Sequence, residues 1–195
     1  CGSTQAAEKI YKGDVKEGKI DLDINLKNNS TLFWLPKEMI LFNNCNLKRQ
    51  INVKLSNNSN LLMSESTIFG RTAMKETFSN GNYKDLWKIF NEKKLIHVEA
   101  AKSEGNIEEF LSKPATFNNN CAINITIGIG QKILEKADKI KNNLLKNNET
   151  ISEMSIWDEK LVIRTISKDS YHLGFAIKKF LSYFFNGNIP KVWSL

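Results

Sequence analysis

Between Lys19 and Leu26 the chain alternates without a break. Ile20, Leu22, Ile24 and Leu26 fall on one side of a two-residue period, and Lys19, Asp21, Asp23 and Asn25 on the other. Successive side chains of a strand point to opposite faces, so this segment needs a partner that covers its apolar side. The habit persists. Leu47, Arg49, Ile51, Val53 and Leu55 alternate with polar residues, Leu61 to Phe69 returns after a turn, and Asn82 to Phe90 with Leu95 to Ala101 reads as a strand pair joined by residues 91–94. Thr31 to Trp34 and Met39 to Phe42 are short strands separated at Leu35-Pro36, because proline cannot donate to a ladder. The punctuation is asparagine: Asn28-Asn29-Ser30, Asn43-Asn44, Asn57 to Asn60 and Asn80-Gly81 all read as turns. Strands recurring about every ten residues indicate a sandwich, barrel or solenoid.

The period changes in the second half. Glu104 to Leu111 is a weak helical patch ahead of Lys113-Pro114, and Ala122 to Ile129 alternates again. Ile133, Leu134, Ala137, Ile140, Leu144 and Leu145 then recur at helical spacing, which predicts a helix over Gln131–Lys146 ending at Asn147-Asn148. Leu161 to Ile166 is a further strand. Asp169 and Ser170 are good N-caps for a last helix, over Asp169–Asn186, that turns Leu173, Ile177, Phe180, Leu181 and Phe184 inward and stops at Gly187. Trp193 in the tail is expected to pack back on the body. The fold class expected is mainly β, a solenoid- or sandwich-like body with two α-helices in the C-terminal half, forming one domain over residues 1–195.

Composition removes several function classes. The formal net charge is +7, yet the lysines are dispersed among acidic residues, and no RNP-like strand, zinc module or basic arm appears, so nucleic acid is not the expected partner. No run of about twenty apolar residues exists to span a bilayer. Cys1, Cys45 and Cys121 show no CxxC spacing, which argues against a disulfide framework or structural zinc and suits a reducing compartment. Asn-x-Ser/Thr triplets at Asn28, Asn57, Asn124 and Asn148 are what an asparagine-rich chain produces by chance. Gly128-Ile129-Gly130 lacks the remaining elements of a nucleotide-binding loop and reads as a tight turn. His97, alternating out of its strand, and His172, in the first turn of the last helix, have no sequence neighbours that would complete a metal site. No GxSxG nucleophile motif occurs.

Glu65 and Glu76 stand out because each is set among apolar neighbours, Met63 and Ile68 around the first, Met74 and Phe78 around the second. A buried carboxylate requires an arginine, lysine, water or cation. The plain expectation is a core salt bridge to Arg71. A carboxylate pair would also suit a carbohydrate-active β-solenoid hydrolase, although no sugar-stacking aromatic array accompanies it. Cys1-Gly2-Ser3 has a second possible meaning, the lipid-bearing end of a lipid-anchored, β-rich binding protein; the reading preferred here is a chain cut from a longer one.

Five strings in one order narrow the choice: STQAAEKIYK from Ser3, WLPKEMILF from Trp34, ESTIFGR from Glu65, KETFSNG from Lys75 and IPKVW from Ile189. Together they resemble the motifs of the urease accessory protein family UreD, also called UreH, over nearly the whole chain. The resemblance departs at Lys191, where the family has arginine, and at Ser3, where threonine is usual. The family's N-terminal strands are missing, so a bare sheet edge is expected. The resemblance implies a non-enzymatic, cytoplasmic maturation factor on a mostly β scaffold with two helices. It implies binding to UreF, through UreF to the GTPase UreG, and docking on apo-urease. It also implies an internal passage carrying Ni²⁺ towards the urease active site, with no permanent cofactor and no nucleic-acid or membrane partner. Such a passage needs oxygen ligands that hold nickel weakly, since thiolates or clustered imidazoles would trap it. Glu65 and Glu76 are the candidates for transient Ni²⁺ contact. Ser3, Thr4, Gln5 and Glu38 are further passage candidates, and Gly70, Arg71 and Gly81 complete the motif positions.

Overall fold

A computed structural model describes residues 1–13, 16–70, 78–144 and 148–193. Strands β2 (Gly18–Leu26), β5 (Asn46–Leu55), β7 (Asn80–Asn91) and β8 (Lys94–Asn106) form a four-stranded sheet in that order. A seven-stranded sheet runs β1 (Glu8–Ile10), β4 (Met39–Leu41), β6 (Asn60–Phe69), β9 (Ala122–Ile129), β11 (Lys160–Ser167), β10 (Thr150–Trp157), with β3 (Thr31–Trp34) also paired to β6. The chain winds from β2 to β3 and β4, back to β5, across to β6 and back to β7. Each coil lays its strands parallel to those of the coil before, β2 on β5 on β7 in one sheet and β3 and β4 on β6 in the other. The coil then stops: β7–β8, β6–β9, β9–β11 and β10–β11 are all antiparallel. The mainly β expectation holds, with a solenoid-like first half and an antiparallel extension.

Parallel, in-register winding stacks like on like. Leu22, Ile51 and Trp87 share one row across the small sheet, and Ile24, Val53 and Ile89 share the next. These rows meet Leu61, Met63, Ile127 and Val162 of the large sheet to make the core between the sheets. The other face of the large sheet presents Leu62, Ile68, Leu161 and Ile163 to the helices α2 (Gln131–Leu134), α3 (Ala137–Lys141) and α4 (Ser170–Phe184). Strand β6 is thus covered on both sides, and every residue from Asn60 to Phe69 is buried. Each fully buried Leu or Met side chain in such a layer contributes about 1.5–3 kcal/mol.

The asparagines serve the turns as expected. Asn29, Asn44 and Asn58 take φ of 59°, 61° and 56°, the left-handed region that asparagine tolerates better than most side chains. Helix α4 begins where its caps predict, with the Asp169 carboxylate accepting from the His172 backbone N–H at 2.8 Å. Trp193 is buried and donates from Nε1 to the Leu35 carbonyl at 3.0 Å.

Two expectations are corrected, the single helix over Gln131–Lys146 and the turn at Asn80-Gly81. The helix over Gln131–Lys146 is two short helices: the helical path breaks near Glu135-Lys136, where the Lys136 ammonium reaches the Phe184 carbonyl at 2.7 Å. Ile133, Ala137 and Ile140 nevertheless face inward, as their spacing requires; residues 145–147 lie outside the described set. A further short helix, α1 (Ile107–Ser112), stands on the weak patch, with the Asn106 side chain accepting from Glu109 N. Strand β10 carries no strong alternation, and its hairpin to β11 turns on Asp158 and Glu159 with φ of 44° and 57° rather than on Asn-Gly. Asn80-Gly81 opens β7, paired to Asn106-Gly105 of β8, and is not a turn.

Gly130, the N-cap of α2, has φ of 94°, and a Cβ there would sit 2.5 Å from Asn60 Oδ1 and 2.8 Å from the Ser59 carbonyl oxygen. Gly130→Ala should cost about 1–3 kcal/mol from backbone strain alone, more with the clash. Thermal unfolding of the variant checks this, and an unchanged melting temperature would contradict the turn geometry.

Candidate functional site

One cluster of charge lies between the sheets. Arg49 of β5 and Asp85 of β7 are register partners in parallel strands, so their side chains project side by side from the small sheet. Glu65 of β6 meets them from the large sheet. Arg49 Nε and Nη2 donate to Asp85 Oδ1 and Oδ2 at 2.9 and 2.6 Å, a two-pronged pair, while Nη1 donates to Glu65 Oε2 at 2.8 Å. Trp34 Nε1 donates to Glu65 Oε1 at 2.7 Å, and Trp87 Nε1 and the Tyr83 hydroxyl donate to Asp85 Oδ2 at 2.9 and 3.0 Å. The side chains of Arg49, Glu65 and Asp85 are 5%, 6% and 7% exposed, which makes the cluster an interior one.

One guanidinium shared between two carboxylates leaves a net charge of −1 if both acids are ionised. Burial pushes the Glu65 carboxyl above its usual range; Arg49 and Trp34 pull it down, and Asp85 adds to the rise. Burial works against the Arg49 charge, but Glu65, Asp85 and Tyr83 together hold that guanidinium well above its ordinary range. The Tyr83 phenol is pushed up by burial and by Asp85, so it remains a donor. Glu65 in the folded chain therefore binds its proton more tightly than in the unfolded chain. Its contribution to stability is fully present below the ordinary glutamate range and is lost as pH rises through the raised value.

The cluster lines a cavity of about 280 Å³ between the sheets. Glu65, Thr67, Tyr83 and Asp85 supply oxygen atoms to it; Glu99 and Arg164 belong to its more exposed part. Soft ligands are scarce here. Burial pushes the Cys45 and Cys121 thiols up to about 11, so neither supplies a thiolate readily. Among the described residues no three His, Cys, Asp or Glu side chains group tightly enough to hold a metal ion.

The other candidates are dispersed. Ser3 donates its hydroxyl to the Leu35 carbonyl at 2.6 Å, and Thr4 Oγ1 accepts from Lys37 N at 2.9 Å, so this segment fastens to the Leu35-Pro36 corner at the surface. Gln5 is exposed. Glu38 is half-buried, with its backbone carbonyl accepting from Glu8 N at 3.0 Å. Gly70 closes β6 with φ of 82°, and Gly81 begins β7. None of these six lines the cavity with Glu65. Arg71 and Glu76 lie outside the described residues. Among the described residues the arginine that answers Glu65 is Arg49. Sequence reading had placed Arg49 on the apolar face of its strand, which was the available signal; nothing marked Asp85. His97 points into the body and is buried, contrary to expectation.

Two substitutions should separate the roles of the carboxylates. Asp85→Asn breaks the two-pronged pair and should cost about 3–5 kcal/mol. Glu65→Gln leaves that pair intact and should cost about 1 kcal/mol or less. Urea unfolding of both variants checks the order, and equal losses would contradict it. A pH series adds a sign: the stability of wild type relative to Glu65→Gln should improve on acidification from pH 8 to pH 4, and a decline would contradict the raised Glu65 carboxyl.

The comparison with known proteins is consistent along the chain. The family model described as UreD urease accessory protein matches residues 1–194. A urease accessory protein UreD of Agrobacterium fabrum is 31% identical over 194 residues, covering 99% of this chain and 67% of that protein. One from Rhizobium leguminosarum bv. viciae is 30% identical, covering 99% and 70%. Another, from Rhodopseudomonas palustris strain HaA2, is 36% identical over 121 residues, covering 62% and 43%. With the motif strings in order and the match spanning residues 1–194, this chain belongs to the UreD family of urease accessory proteins.

Proposed function

We propose that this chain is a non-catalytic scaffold of urease maturation that binds UreF, engages UreG through it, docks on apo-urease, and lets Ni²⁺ pass through its interior. Membership of the family supports the maturation role. The observation that carries the passage is the cavity between the sheets, lined by Glu65, Asp85, Tyr83 and Thr67. Its chemistry suits cargo better than a resident metal. Oxygen donors hold Ni²⁺ less tightly than thiolates or imidazole clusters do. Arg49 offsets one of the two carboxylate charges, leaving enough negative charge to attract a dication and too little to retain it.

A hydrolase reading has less support. Glu65 is held as an ion-paired carboxylate by Arg49 on one oxygen and Trp34 on the other, and the second acid of the pair, Glu76, lies outside the described residues. No helix among the described residues is long and apolar enough to cross a membrane.

In the full-length protein co-expressed with urease and its other maturation factors, Glu65→Gln should lower urease nickel content and activity severalfold while co-purification with UreF and UreG is unchanged. Normal nickel loading by this variant would remove Glu65 from the passage. Failure of the unmodified protein to co-purify with UreF would overturn the scaffold reading.

A further inference from the structure

The winding that stacks Leu22, Ile51 and Trp87 inside the small sheet also stacks the side chains on its outer face. Lys19, Lys48, Lys84 and Lys102 are register partners in turn across β2, β5, β7 and β8, so one row of four lysines crosses the whole sheet. Like charges directly opposite one another on a sheet are destabilising. Glu104 answers only Lys84 and Lys102, each at 3.0 Å. Among the described residues Lys19 and Lys48, and Lys54 and Lys88 further along the same face, have no carboxylate within ion-pair distance.

Apolar side chains lie among these charges. Beyond the lysine row, β7 and β8 turn Leu86, Phe90, Val98 and Leu95 to the same outer face, where Val98 and Leu95 are 47% exposed and Leu86 and Phe90 half-buried. Among the described residues no helix covers them: α2, α3 and α4 pack on the large sheet, and α1 joins the Phe69 and Phe117 cluster in the interior. We infer that this face of the β7–β8 hairpin docks an amphipathic helix of a protein partner, one whose apolar stripe is flanked by carboxylates. The inference rests on the scaffold reading for its purpose, but binding at the face is testable separately.

Length and charge both select this occupant. From Lys84 to Phe90 the face runs about 20 Å, the length of a helix of roughly fourteen residues. A helix laid on a sheet buries its apolar stripe there, as the other helices of this chain do on the large sheet. Its flanking carboxylates meet Lys48, Lys84 and Lys102 and relieve the repulsion within the row. A second copy of this chain is a poor occupant, because the same face turned on itself opposes lysine to lysine. A nucleic acid offers phosphates to the lysines but nothing apolar to Val98 and Leu95. An anionic bilayer offers both, yet Lys88 lies between Leu86 and Phe90 on β7, so these side chains enter hydrocarbon only by taking an ammonium with them.

The test uses untagged full-length protein and a fluorescent peptide of about eighteen residues, with leucines at i, i+3, i+4 spacing and glutamates on the flanks. In anisotropy titrations, Lys48→Glu combined with Lys84→Glu should weaken binding tenfold or more, and Leu95→Ser combined with Val98→Ser severalfold. Lys9→Glu combined with Lys139→Glu, the same change of charge on β1 and α3, should leave affinity within twofold. Equal losses in the two charge pairs overturn the inference, since net charge alone then explains binding, and so does an unmodified protein that binds no peptide. Tighter binding to phosphatidylglycerol vesicles, lost in the same variants, replaces the helix with a bilayer and overturns it too. In acetylation of the free protein, Lys48 and Lys88 should react as fast as Lys139; their protection places another segment of this chain on the face and overturns the docking site. Should the peptide bind as expected while the unmodified protein fails to co-purify with UreF, the face stands and the scaffold reading falls. Co-purification without peptide binding gives the reverse.

Discussion

The guanidinium of Arg49 ties the two sheets together, and much of the interior is arranged around it. It lies between Asp85 in its own sheet and Glu65 in the facing one, and all three side chains are buried. Removing such charges from water costs several kcal/mol per ion, which only close pairing with further hydrogen bonds offsets. The additional bonds are present: Trp34 on Glu65, and Tyr83 and Trp87 on Asp85. Register follows from this arrangement. A slip of β5 by one residue would turn Arg49 outward and bring Lys48 in, leaving two buried carboxylates with a partner of the wrong shape.

Strand β6 bears the consequences because helices cover its other face. Its residues alternate between two interiors, Leu61, Met63, Glu65 and Thr67 towards the small sheet, Leu62, Ser64, Ser66 and Ile68 towards the helices. The second set contains a polar band. Asn124 of β9 donates to Ser64 and Ser66 at 3.1 and 3.0 Å, and Ser152 and Thr165 continue the row at 3.0 Å. These hydroxyls and amides satisfy one another, so a wholly buried strand carries polar atoms without orphaned ones. Both faces of the strand are consequently intolerant of change, for different reasons: apolar packing at the ends, hydrogen-bond completeness in the middle.

The proposed passage gives this design a functional logic. A cavity walled by packed apolar rows would exclude a hydrated cation, whereas an unbalanced carboxylate lowers the cost of admitting one. In the proposed passage, the same excess charge that makes the cluster costly to bury would attract a positive cargo. Under that proposal stability and function draw on the same three side chains, with the Arg49–Asp85 pair holding the sheet and Glu65 as the less constrained member.

Local pattern determined a good part of this protein. Period-two alternation located most strands and even placed Arg49 among inward-facing positions, asparagine marked the left-handed turns, Asp169 capped the last helix, and the ordered motif strings pointed to the family. These are short-range properties, written in neighbouring residues. What pattern could not state is which strand lies opposite which. Glu65 finds Arg49, sixteen positions earlier in the chain, and Trp193 finds the Leu35 carbonyl 158 positions away. Asp85 looked like an ordinary strand residue until the parallel winding set it beside Arg49, and His97 looked solvent-facing until the fold buried it near the Trp157 ring. Alternation specifies a face but not the partner across it; that choice belongs to the winding of the two sheets, and with it the cavity and its charge.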